Sequence, residues 1–152
     1  MSLTGLPAFD ETLHNTNVWL KEVMERLGSD DRHRAYLALR AALHALRDRL
    51  PPEDAVHLGA QLPMLVRGFY YEGWKPSATP SADRMKDEFL EHIRDEFRHD
   101  PDADVEAIAT SVFAVLAERL TEGETRKVMH LLPAQIRELW PTGGAAPSPR
   151  MH

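Results

Sequence analysis

The sequence predicts an all-α protein of two pseudo-symmetric helical repeats, about four helices each, packed around one shared core. Three observations carry this. Apolar residues recur at helical spacing, capping residues and prolines punctuate them, and the whole pattern returns 70 positions later. "RLPPEDAVHLGAQLP" (Arg49–Pro63) returns as "RLTEGETRKVMHLLP" (Arg119–Pro133), with the same ends and the same length. Sliding the chain by that offset sets Trp19, Leu20, Val23 and Leu27 on Phe89, Leu90, Ile93 and Phe97. It sets Ala35, Leu39, Ala42, Leu43, Leu46 and Leu50 on Val105, Ala109, Val112, Phe113, Leu116 and Leu120. Those positions run i, i+4, i+7, i+8, i+11 and i+15, one face of a helix in both copies.

Each element then follows in order. The first helix is expected to begin near Asp10 in one copy and near Ser81 in the other, both good N-caps. The second is expected over about 31–50 and 101–120; "EAIATSVFAVLAERL" leaves it little polar face, so it should be the most buried. "TEGE" (Thr121–Glu124) is a capping box opening the third, and "PPEDA" does the same with proline in the first turn. Pro63 and Pro133 are expected to stop that helix and serve as N1 of a fourth, "PMLVRGFYY" and "PAQIRELW". "EGWKPSATPSA" reads as a linker. Residues 1–140 are expected to form a single domain of two repeats, 10–74 and 81–140, and 141–152 a disordered tail.

Composition excludes some functions. A chain of 152 residues can bury a core without a staple, and with no cysteine it has no thiolate chemistry, CxxC pair or iron–sulfur ligand. The N-terminus lacks the basic and apolar regions of a signal peptide, and no apolar run approaches the roughly 20 residues of a membrane span. A cytoplasmic protein with no membrane partner is expected. The net charge is −6, with 10 acids and 9 bases up to Lys75 and 14 and 9 after it, so no general electrostatic pull toward nucleic acid exists.

The run "FDETLHNTNVWLKEVMERLGSDDRHRAYLALRAALHALRDRLPPEDAVHLGAQLPMLVRGFYYEGW", with the later "LPAQIRELWP", closely resembles the bacterial domain of unknown function 2267 over nearly all of Phe9–Pro141. That resemblance implies an all-helical, internally duplicated cytosolic protein and brings no activity. Val56 and His57 stand where the family pattern leads one to expect small residues.

Polar residues offer little chemistry. Glu-x-x-His pairs place both ligands on one helix face, as in carboxylate-bridged iron proteins. Here Glu11–His14 and Glu96–His99 fit, with Asp30–His33 and Asp54–His57 as aspartate versions, but none recurs in the other copy. His92, Glu96 and His99 share a helical spacing that could hold a surface ion; the simpler expectation is exposed pairs and no metal. No G-x-S-x-G, H-E-x-x-H, P-loop or dinucleotide motif occurs, so neither catalytic residues nor a cofactor are expected. Ser111 is expected to bond the carbonyl one turn back. A stripe of His33, Tyr36, Arg40, His44 and Arg47 resembles a recognition helix, yet its counterparts carry no positive charge. A seam with acids of copy two, such as Asp95 and Glu96, explains it better than nucleic acid.

The remaining feature is "RGFYYEGW". Phe69 and Tyr70 are expected in the core, whereas Tyr71 and Trp74 have no counterparts, and aromatic residues with arginine are typical of interface centres. The expected function is a non-enzymatic protein-interaction module, with a protein partner or self-association as a homodimer. Candidate contact residues are Arg67, Tyr71, Trp74, Arg40 and Arg47. The alternative is a small-ligand or metal-binding protein, or an enzyme, with a pocket at the seam between repeats. Convergent histidines and carboxylates in a deep pocket would favour the alternative; an exposed apolar patch would favour the first.

Overall fold

The computed structural model describes residues 2–141, so the tail expected over 141–152 lies outside the described residues but for Pro141. Within them the chain is all-helical: α1 (Pro7–Leu27), α2 (Arg32–Arg49), α3 (Pro52–Ala60), α4 (Met64–Tyr71), α5 (Lys86–Asp95), α6 (Val105–Arg119), α7 (Glu122–Leu131) and α8 (Ala134–Arg137). A single 3₁₀ turn, Pro76–Ala78, interrupts the stretch read as a linker.

Local chemistry sets the boundaries. Asp31 and Asp104 cap α2 and α6 by accepting from the Arg34 and Ala107 amides, at 3.2 and 3.0 Å. Thr121 caps α7 through the Glu124 amide. Pro63 and Pro133 are themselves the N-cap residues of α4 and α8, one position earlier than the N1 role expected for them. Three starts differ more. Helix α6 begins at Val105, not near residue 101, because Asp104 supplies its cap. Helix α1 begins at Pro7 because proline suits a first turn, and Asp10 instead accepts from Ser2 and Thr4, which holds its carboxyl below the usual range. Helix α5 begins at Lys86, not near Ser81. The Ser81 amide donates to the Asp48 carbonyl at 2.7 Å, which ties that segment to α2. Glu88 then reaches back to the Met85 and Arg84 amides, and those bonds hold its carboxyl low.

Helices α2 and α6 form the centre. Alanines 35, 38, 41, 42 and 45 with Leu39, Leu43 and Leu46 are buried on α2, and Ile108, Ala109, Val112, Phe113, Val115 and Leu116 on α6. The two helices pack on each other, and burial nearly all round suits core helices. Around this pair, α1 packs on α2 and α6, α5 packs on α6 and α2, α4 lies against α1, α2 and α3, and α8 against α5. Phe69, Tyr70, Leu139 and Trp140 are buried in the same core, and Trp140 stacks on Phe113 at 4.6 Å.

Candidate functional site

Three of the five candidate side chains belong to internal networks. Arg47 is 3% exposed; its Nη1 donates to the Tyr70 and Glu72 carbonyls at 2.7 and 2.8 Å, and its Nε to Asp48. It closes the C-terminal end of α4, where carbonyls lack helical partners. Arg67 forks over the end of α3, Nε to the Gly59 carbonyl and Nη2 to that of Leu62, both at 2.9 Å. Arg40 is half-buried and pairs with Glu72, with Glu96 at 3.8 Å. The charge pair raises the Arg40 guanidinium and holds the Glu72 carboxyl low. Tyr71 and Trp74 stand together, ring centroids 5.4 Å apart, half-buried against the core. Tyr71 lies on Gly59, where a Cβ would stand 2.3 Å from its hydroxyl oxygen. The indole nitrogen of Trp74 is buried without a partner.

The basic stripe of α2 meets Glu96, just past α5. His44 is buried, its Nδ1 2.8 Å from Glu96 Oε2 and its Nε2 2.7 Å from the Phe69 carbonyl. Since a carbonyl only accepts, Nε2 carries a proton. Arg34 on the same helix donates to Asp100 at 2.5 Å and depresses its carboxyl.

The histidine–carboxylate spacings part in space. Helix α5 ends at Asp95, so the i, i+4, i+7 face through His92, Glu96 and His99 is not completed. His92 contacts Asp83 at 2.6 Å, Glu96 faces His44, and His99 stacks on Phe97. Among the described residues no three His, Asp or Glu side chains converge in a way that could hold a metal ion. The hydroxyl that bonds back along α6 is that of Thr110, to the Ala107 carbonyl.

Two features were not anticipated. One is an open cleft of about 650 Å³ between α1, α2 and α4, walled by Thr16, Leu20, Tyr36, Leu65, Gly68 and Phe69, with Arg32, His33 and Glu72 at its rim. The other is an apolar face beside it: Leu6 and Phe9 around the start of α1 are 47% and 48% exposed, and Met64 and Leu65 at the start of α4 are 50% and 44% exposed. The Leu65 amide donates to Thr12 Oγ1 at 3.0 Å, which sets the two helix starts side by side. The sequence held one signal: Phe9 and Leu13 extend the α1 stripe, whereas the residues 70 further on are Thr79 and Asp83. A smaller cleft of about 350 Å³ lies between α1, the α3–α4 turn and the end of α6; its lining, including Asn15, Trp19, Gln61 and Arg119, has no histidine or carboxylate.

Fold and surface together define a class: an all-helical protein on one core, in which the buried His44 and Arg47 are tied to backbone carbonyls. A family model described as "Uncharacterized conserved protein (DUF2267)" matches residues 16–139, and the chain belongs to that family. No curated protein matches the sequence. None of the described helices is long and apolar enough to cross a membrane.

Proposed function

We propose that the protein is a non-enzymatic interaction module of the cytosol that self-associates through the face made by the start of α1 and the start of α4. One observation carries this reading: Leu6, Phe9, Met64 and Leu65 are each about half exposed on adjoining elements. Contiguous apolar exposure of this kind marks contact surfaces. A two-fold dimer uses one patch twice, so a single apolar face is sufficient. Arg40, Tyr71 and Trp74, each half-buried, are the contact residues that would stand at its rim. Arg47 and Arg67 support the reading as framework residues that fix α4 in place.

The decisive experiment is the mass of the full chain in solution across a concentration series. A dimer whose dissociation constant rises at least about tenfold in Phe9→Asp and Leu65→Asp, with melting unchanged, supports the reading. A monomer at all concentrations, or a dimer indifferent to both changes, overturns it.

We also propose that the molecule is one helical unit occurring twice about a pseudo-two-fold axis through the α2–α6 contact. Three pairings support this. Helix α1 packs on α6 as α5 packs on α2, and α4 lies on α1 as α8 lies on α5. Helices α2 and α6 end 70 residues apart, and α3 and α4 begin 70 residues before α7 and α8. Arg137 donates Nε to the Met129 carbonyl and Nη2 to that of Leu132, both at 3.0 Å, repeating two of the three bonds of Arg67 at the same offset.

A further inference from the structure

We propose that the α1–α2–α4 cleft is a binding site for a small organic anion with an apolar body. The proposal goes beyond self-association; the cleft adjoins the apolar face and shares Leu65 with it. Gly68 is the first observation. It sits within a regular helix, a position where glycine is less stable than alanine. Nothing in the fold requires it, because a Cβ there would meet no atom within 4 Å. Its one structural consequence is to leave the cleft wall bare beside Phe69.

The chemistry of the lining is the second observation. Leu20, Leu65, Tyr36 and Phe69 supply an apolar wall, the two rings edge to face at 5.2 Å. Thr16 adds a buried hydroxyl with no hydrogen-bond partner. At the mouth, Arg32 donates to the Asn17 side chain, and neither it nor His33 has a carboxylate within 4.0 Å among the described residues. Glu72, the acid of the rim, is neutralised by Arg40. A cleft of about 650 Å³ falls within the roughly 300–1,000 Å³ of small-molecule sites, which combine such walls with a few polar groups.

The third observation rests on the pseudo-symmetry proposed above. The positions equivalent to Thr16, Tyr36 and Leu65 are Lys86, Glu106 and Gln135. There Lys86 Nζ pairs with Glu106 at 3.3 Å, and the Lys86 amide donates to Gln135 at 3.0 Å. Gly68 becomes Glu138, and Arg32 becomes Asp102. The second copy thus satisfies its own polar groups, where the first keeps an apolar wall and an Arg32 with no carboxylate partner among the described residues.

The test is calorimetric titration of the full chain with 2-naphthoate and with dodecanoate, each beside its neutral alcohol, so that aryl and alkyl bodies are told apart. At least one carboxylate is expected to bind below about 1 mM, at least about tenfold more tightly than its alcohol. Gly68→Phe, which fills the cleft, is expected to melt at or above the parent temperature and to weaken the carboxylate at least about tenfold. Arg32→Gln, a surface change, is expected to weaken the carboxylate alone and leave the alcohol unaffected, and it keeps the test decisive should Gly68→Phe misfold. Saturation by neither acid, equal affinity for acid and alcohol, or undiminished binding in both variants overturns the proposal. So does binding of an amphipathic peptide where neither acid binds.

Discussion

Gly59 and Tyr71 show how one side chain reads another. The tyrosine ring lies across α3 because Gly59 has no Cβ, and it is held there between Tyr70 and Trp74. Gly59→Ala is expected to destabilise by about 1–3 kcal/mol through overpacking. In a Tyr71→Ala background most of that cost is expected to disappear, since only the 3.1 Å approach to Tyr70 Cε2 remains against the better helix propensity of alanine. Equilibrium denaturation of the four variants measures this, and additive effects would show that the two residues are not coupled. Trp74 is half-buried, and Trp74→Ala is expected to lose about 2–4 kcal/mol, somewhat less than a fully buried tryptophan. A melting temperature within error of the parent would mean that the ring packs against nothing of consequence.

Helix ends are where the elements are secured. Arg67 and Arg137 fork onto the carbonyls that terminate α3 and α7, those of Gly59 and Met129, which also accept from the Leu62 and Leu132 amides, and those of Leu62 and Leu132. Arg67→Lys and Arg137→Lys are each expected to destabilise by about 1–3 kcal/mol, because an ammonium cannot donate along two fixed directions. A loss confined to one of them would break the proposed equivalence of the two corners. Carboxylates at the ends of elements set the acid limit. Asp10, Glu72, Glu88 and Asp100 are all held below their ordinary values, by Ser2 and Thr4, by Arg40, by backbone amides and by Arg34 respectively. A depressed carboxyl stabilises the fold above its unfolded value, and that contribution is lost as pH falls through the folded one. Melting temperature is therefore expected to be level above about pH 5 and to fall steadily below about pH 4. Glu88→Gln should flatten part of that fall; a profile unchanged from pH 6 to pH 3 would contradict the assignment.

Across the whole molecule, the two halves are joined by the apolar α2–α6 contact and by polar bridges around it. Arg26 with Glu118 and Glu22 with Arg119 tie α1 to α6, and His44 with Glu96 ties α2 to the end of α5. The His44 bridge is the most buried of these, so it has the least competition from water. A double-mutant cycle between His44→Ala and Glu96→Gln is expected to return a coupling of about 1–2 kcal/mol at neutral pH. The exposed pairs should each give less than about 1 kcal/mol. Equal couplings throughout would mean that burial does not strengthen the seam.

What the sequence determined by itself was local or periodic. Helical spacing marked the apolar faces of α1, α2, α5 and α6, and capping residues and prolines marked most of the boundaries, since both depend on residues within a few turns of each other. The stripe of α2 could be matched to Glu96 because opposite charges on two faces needing partners have few ways to meet. The start of α5 was beyond such reasoning: Ser81 is a fair N-cap, and only the packing of its segment on Asp48 keeps it extended. Burial of Arg47 was equally illegible, because its acceptors are carbonyls of a helix more than twenty residues away. The cleft is the clearest case. Thr16, Tyr36, Leu65 and Gly68 come from three helices and form no pattern along the chain. Tertiary structure alone decided that they share one wall, because adjacency between helices follows from how side chains interlock, and no single segment encodes it.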